Sequence, residues 1–205
     1  MKMRRHFLTL AAAVLALAAA SGYASASTQA SPAAQPCTSF LCNFFNGAAT
    51  SFDGRPGAAA PPRETVSYSG PYAPGTIVIS TVERRLYYIL PGGQAIKYGV
   101  GVGRPGFAWS GTRYVAMKRE WPDWTPPSQM LRRRPDLPRH MAGGPDNPLG
   151  SRAMYLGGTL YRIHGSNEPG TIGTAVSSGC IRMTNEDVQD LYNRVRVGTR
   201  VVVQR

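Results

Sequence analysis

From Gly75 onward the chain alternates apolar and polar positions as half-buried strands do. Ile77, Ile79 and Thr81 alternate with Val78, Ser80 and Val82. "RLYYIL" (residues 85–90) and a "PGG" turn follow, and "AIKYGVGVG" places Ile96, Tyr98, Val100 and Val102 on one face. "TRYVAMK" (112–118) predicts another strand. "RAMYLGGTLYRIHG" reads as a hairpin turning at Gly157–Gly158, with His164 at the end of its second strand. The period then lengthens. Thr184 suits an N-cap, Asp187 three positions on completes a capping box, and Val188, Leu191, Tyr192 and Val195 share one helical face. Gly198 suits the helix end, and "TRVVVQR" predicts a closing strand. A mainly β domain with one helix packed against it is expected over 75–205.

Two regions break this pattern. Between Gly103 and Gly150, "EWPDWTPP" and "LRRRPDLPRHMAGGPDNPLG" crowd Pro, Gly, Trp and Arg together. A loop this long is either an ordered cover over a groove, or a connection whose Trp121 and Trp124 pack on the sheet. Residues 27–74 are rich in Ala, Ser, Pro and Gly and read as a flexible linker, interrupted by "FLCNFF". Ahead of them, Lys2, Arg4 and Arg5 precede an apolar run from Phe7 to Ala20, and "ASA" at 24–26 offers small residues for cleavage. Residues 1–26 are therefore expected to be an export signal, with "RRHFLT" resembling a twin-arginine type.

Charge sharpens the picture. The net charge is +12, or +9 over the 179 residues left if the signal is removed. An exported cationic chain is expected beside a polyanionic cell wall or membrane surface. No nucleic-acid-binding signature is present, so nucleic acid is not expected as a partner. Of three cysteines, Cys37 and Cys42 are close enough to pair, which leaves Cys180 odd. At this point Cys180 is either a small buried hydrophobe or a reactive thiol.

The stretch "IHGSNEPGTIGTAVSSGCIRM" (163–183) bears on that choice. Thiol catalysis needs a base near the sulfur, and without the signal only His140 and His164 remain. "SSGC" allows a sharp turn at Gly179, after which the N–H groups of Gly179 and Cys180 can converge on an oxyanion. Arg182 offers a fork-shaped cation for a carboxylate. One cysteine with two scattered histidines lacks the clustered spacing of a zinc site, so neither metal nor cofactor is expected.

"IHGSNEP…IG…SSGCIRMTNEDVQDLY" resembles the signature of the L,D-transpeptidase (YkuD-type) catalytic domain, carried by His164, Gly165, Ser177, Gly179, Cys180, Ile181, Arg182, Asn185 and Asp187. "IVISTVERRLYYI" and "NPLGSRAMYL" resemble earlier parts of that domain. Ser178 stands where many members carry a second histidine. The resemblance implies a β-sandwich or barrel with one packed C-terminal helix and a long capping loop. It implies that Cys180 attacks the diamino-acid–D-Ala bond of a peptidoglycan stem peptide and forms a thioester, which an amine on another stem peptide, an envelope protein or a free amino acid resolves. His164 would move the proton, held by a backbone carbonyl. Ser177, Ser178, Gly179 and Gly165 would support the site, and Arg182 would bind a substrate carboxylate or brace the site. A periplasmic or envelope location and a monomer are expected. Water as acceptor would make an L,D-carboxypeptidase. A sortase-like enzyme runs His, Cys, Arg in the same order but separates His and Cys by far more than the 16 positions here. A non-catalytic wall-binding protein would need no thiol.

Overall fold

The computed structural model describes residues 60–205, and there the alternating segments become eleven strands. They are β1 (Glu64–Ser67), β2 (Ile77–Ser80), β3 (Arg85–Leu90), β4 (Gln94–Gly99), β5 (Val102–Gly103), β6 (Gly111–Glu120), β7 (Arg152–Leu156), β8 (Arg162–His164), β9 (Ala175–Ser177), β10 (Ile181–Arg182) and β11 (Arg200–Gln204). Nine form one sheet in the order β1-β4-β3-β2-β11-β6-β7-β8-β10, and β5 pairs with β9 apart from it. The closing strand runs parallel to β2 and antiparallel to β6, so it joins the first meander to the second half of the domain.

The sheet curls. Gly101, just beyond β4, exchanges both backbone hydrogen bonds with Arg182 on the opposite edge strand (2.9 Å each), and Val102 continues to Thr174 (2.9 Å). This near-closure satisfies edge groups that would otherwise lie open. Inside it lies the core, which includes Ile77, Ile79, Tyr98, Val115, Met154, Ile163, Ile181 and Val201. The helix α2 (Asn185–Arg194) closes one side with Val188 and Leu191, and Val195 just beyond its end joins them. Its start is as expected: the Thr184 hydroxyl accepts from the Asp187 N–H at 3.1 Å. At its other end, Lys118 Nζ donates to the carbonyls of Tyr192 and Val195 (2.6 Å each), a cation where the helix dipole is negative.

Two expectations change. The linker was expected to reach Pro74, yet β1 pairs with β4 from Glu64 to Ser67. Val66, Tyr68 and Tyr72 then cover Val78, Ile89 and Ala95 on the outer face of the meander, apolar groups that would otherwise meet water. The signal segment, "FLCNFF", Cys37 and Cys42 lie outside the described residues. The second change is a short additional helix, α1 (Ser128–Arg133), within the long connection after β6.

That connection is an ordered cover. Trp124 and Met141 exchange backbone hydrogen bonds (2.8 Å each), and Trp124, Leu137 and Leu149 form a separate apolar cluster with Met130, Leu131 and Met141. Buried Asn147 ties it, donating to the carbonyls of Met141 and Ala142 and accepting from the Leu149 N–H. Neither tryptophan joins the sheet core: Trp124 packs within the cover, and Trp121 is exposed.

Replacing Thr184 with Ala removes the cap of α2. The expected loss is about 1 kcal/mol, roughly 2–4 °C in melting temperature for a domain of this size. Thr184→Ser should retain most of it, and thermal melts followed by circular dichroism check both.

Candidate active site

The site is built on β8 and β10, which run parallel with Ile163 opposite Ile181 and His164 opposite Arg182. Side chains alternate across a strand, so the two isoleucines enter the core while Arg162, His164 and Arg182 face the other way. Cys180, two residues before Arg182, falls on that same side. Arg162, His164, Cys180 and Arg182 all line a groove of about 400 Å³ with Ser177 and Ser178. Trp124, Met130, Arg133 and Leu149 of the cover supply the facing wall.

His164 is buried, with Nδ1 2.6 Å from the carbonyl oxygen of Gly165. A carbonyl can only accept, so Nδ1 carries the hydrogen and Nε2 keeps its lone pair. Burial pushes the imidazole pKa down to about 3; the Arg182 guanidinium adds to the shift, and the Gly165 carbonyl opposes it. The ring is therefore neutral at neutral pH, the form that can take a proton. Gly165 also leaves room: a Cβ there would collide with the Asn185 side-chain oxygen, which accepts from the Ser151 N–H at 2.9 Å.

Cys180 follows a tight turn. The Ser177 hydroxyl donates to the Cys180 carbonyl (2.6 Å) and accepts from the Gly179 N–H (3.1 Å). Gly179 has φ +109°, and a Cβ there would strike the Tyr161 ring. Tyr161 stacks on Trp109 at 4.7 Å, and Trp109 Nε1 donates to the Gly179 carbonyl at 2.7 Å. The turn is thus held from both sides. The Cys180 sulfur is free and lies 3.9 Å from the Leu160 carbonyl oxygen. Ser178 accepts from Arg104 Nη1 at 3.3 Å.

One site expectation is corrected by this geometry. The Gly179 N–H, expected to aim with that of Cys180 at an oxyanion, is instead given to the Ser177 hydroxyl. Arg182, expected to bind a substrate carboxylate or to brace the site, meets a carboxylate of its own chain. Its Nη1 lies 3.3 Å from Glu168 Oε2 and 3.5 Å from Thr171 Oγ1, with both charged groups buried. The 3₁₀ turn Pro169–Thr171 brings these partners beside β10. Burial raises the Glu168 pKa, and the adjacent guanidinium opposes that rise. His140 is away from the groove, exposed and 3.6 Å from Asp123. Among the described residues no group of three or more His, Cys, Asp or Glu is placed to hold a metal ion.

Sequence reasoning missed Glu168, Trp109, Tyr161, Arg104 and Arg162. Glu168 sits in the same quoted stretch, and asking what neutralises a buried arginine would have pointed to it. Trp109 and Arg104 come from a loop more than 70 residues before Cys180, and no local pattern ties them to it.

The family model of the L,D-transpeptidase catalytic domain, YkuD, matches residues 74–203, and the chain belongs to that family. Its sequence is 36% identical over 186 residues to a protein of Escherichia coli K12 described as a probable L,D-transpeptidase, ErfK/SrfK, covering 82% of this chain and 59% of that one. It is 42% identical over 134 residues to another from the same organism, YbiS, covering 61% and 43%. The chain thus spans three-fifths or less of the length of these relatives. Its fold is also that of solved L,D-transpeptidases, one from Mycobacterium smegmatis (TM-score 0.52, 20% identity, 63% of this chain and 58% of that) and L,D-transpeptidase 3 of Mycobacterium tuberculosis (TM-score 0.53, 19% identity, 63% and 60%).

Because His164 binds a proton less readily folded than unfolded, stability present above the ordinary value of 6.5 is lost as pH falls toward about 3. His164→Gln lacks this loss. Between pH 7 and 4.5 the wild type should therefore lose on the order of 2–3 kcal/mol more than the variant, measured by urea melts at both values.

Removing one member of the buried ion pair strands the other. Glu168→Ala at pH 8 should cost about 3 kcal/mol or more, and Glu168→Gln, which keeps the volume and one acceptor, less. Urea melts at pH 8 check both.

Proposed function

We propose that the chain is an exported, cysteine-dependent L,D-transpeptidase acting on peptidoglycan stem peptides in the cell envelope. The observation that carries this reading is the placement of a free thiol and a neutral, Nδ1-protonated imidazole on one face of β8–β10, lining one covered groove. Family membership supports the reaction class.

The thiol proton passes to His164 Nε2 as the sulfur attacks the carbonyl of the third, diamino-acid residue of the stem. The tetrahedral intermediate collapses when its C–N bond breaks. His164 returns the proton to the departing nitrogen, and D-alanine leaves a thioester on Cys180. The amine of a second stem peptide then attacks that carbonyl, loses its proton to His164, and displaces the thiolate, which is reprotonated. The Ser177 hydroxyl holds the turn that presents the sulfur. Arg182, already paired with Glu168, braces the strand and keeps His164 in its neutral form through its charge. The cation-rich chain suits an anionic wall, and the leader-like first 26 residues support export.

The experiment is incubation of the purified protein with disaccharide-tetrapeptide, with products identified by mass spectrometry. The expected result is release of D-alanine and a cross-linked dimer, both abolished in Cys180→Ala without loss of the fold. His164→Ala should slow thioester formation by roughly 10²–10⁴-fold, while His140→Ala leaves it near wild type. Activity retained in Cys180→Ala would reject the thiol mechanism. No turnover by a folded wild type would favour a wall-binding role instead.

A further inference from the structure

Among the described residues, the groove around Cys180 is lined by three arginines, Arg133, Arg162 and Arg182, and by no aspartate or glutamate. Arg182 has a carboxylate partner in Glu168. Arg162 has none among the described residues. Its guanidinium rests over the Tyr155 ring at 5.0 Å, on the strand directly opposite, and its Nε is buried without a hydrogen-bond partner. Its Nη1 donates to the Leu160 carbonyl at 3.2 Å, the same oxygen that the Cys180 sulfur approaches at 3.9 Å. A cation and the thiol thus share one carbonyl neighbour, with the cation two residues from His164 on the same strand face and without a carboxylate partner among the described residues.

We infer that Arg162 receives the terminal carboxylate of the residue that leaves during acylation, so that the site selects donors ending one residue beyond the attacked carbonyl. This rests on the transpeptidase reading above. In such a donor the terminal carboxylate carbon is three bonds from the attacked carbon, within about 4 Å of it. When that carbon reaches the sulfur, the carboxylate comes within reach of a guanidinium anchored on the neighbouring carbonyl. A donor longer by one residue places a neutral amide there and carries its carboxylate about 3.5 Å farther on. An arginine fork can hold a carboxylate through two parallel hydrogen bonds, which a neutral amide cannot match.

The arrangement also links recognition to chemistry. Arg162 is one of the cations that hold the His164 pKa down. A carboxylate seated on Arg162 offsets that repulsion, so the correct donor makes His164 a better base at the moment it must take the thiol proton. Loss of the carboxylate should therefore lower kcat as well as raise KM.

The test compares disaccharide-tetrapeptide with the same donor bearing a C-terminal carboxamide, using the full chain and following D-alanine or D-alaninamide release by mass spectrometry. Wild type should prefer the acid by about tenfold or more in kcat/KM. Arg162→Gln should bring that ratio close to one, and Arg162→Lys should leave it in between. Melting curves and alkylation of Cys180 by iodoacetamide, a neutral probe, verify that fold and thiol access persist in each variant. An unchanged acid-to-amide ratio in Arg162→Gln overturns the proposal. So does an equal collapse in Arg133→Gln, which would assign the preference to the overall charge of the groove. If wild type turns over neither donor, the transpeptidase reading fails by itself. Calorimetric binding of the two donors to Cys180→Ala, with and without Arg162→Gln, then tests Arg162 separately: a preference for the acid that Arg162→Gln abolishes supports the assignment, and a preference it leaves intact, or none at all, overturns it.

Discussion

The parallel register between β8 and β10 is the constraint on which the site depends. Parallel neighbours cannot be joined by a tight turn, so the chain must travel away and return between His164 and Ile181. That excursion carries Glu168, the 3₁₀ turn and β9 before it reaches the Ser177–Cys180 turn. Pairing of β9 with β5 and the paired bonds between Gly101 and Arg182 pin the returning segment from the other side. Sliding β10 by one residue would turn Ile181 toward the groove and Arg182 into the core. Burial of Ile163 and Ile181 in one apolar core resists that slip, so the positions of the histidine and the thiol are secured largely by side chains that take no part in chemistry.

Electrostatics in the site follow from depth. Arg182 and Glu168 are both withdrawn from water, where neither charge is tolerable without the other. Their pairing consumes the cation nearest the strand centre and leaves its field on His164. That field, with burial, keeps the imidazole neutral in the resting site. Arg133 and Arg162, which also line the groove, have no carboxylate partner among the described residues. The polarity of the groove thus depends on which arginines the fold pairs internally.

Much of the fold was legible because its signals are local. The alternation in β2 to β4, the glycine hairpin between β7 and β8, and the capping box of α2 each need only a few neighbouring residues to express themselves, and all appear at the expected places. The strand at Glu64–Ser67 was hidden because it is short and lies among Pro, Gly and Ser. It is a strand because β4 offers an open edge and because Val78, Ile89 and Ala95 need a cover. The long connection after β6 could be recognised as irregular, but not which way its tryptophans point, since that depends on the apolar cluster it builds with residues far apart within it.

For the proposed chemistry, the identities and order of the candidate groups were already readable along the chain: His164, the Ser177–Cys180 turn, and an arginine two residues beyond. Their spacing, and the need for glycine at Gly179, are consequences of backbone geometry that a few residues can specify. The partners came from the assembled sheet. It gave Arg182 to Glu168, turned the Gly179 N–H onto Ser177, braced that turn with Trp109 and Tyr161, and set Arg162 and the sulfur against one carbonyl, that of Leu160. The physical reason is that partnership between charges and hydrogen-bonding groups depends on burial and on contacts across the sheet. Those exist only once strands distant in the chain have been brought edge to edge.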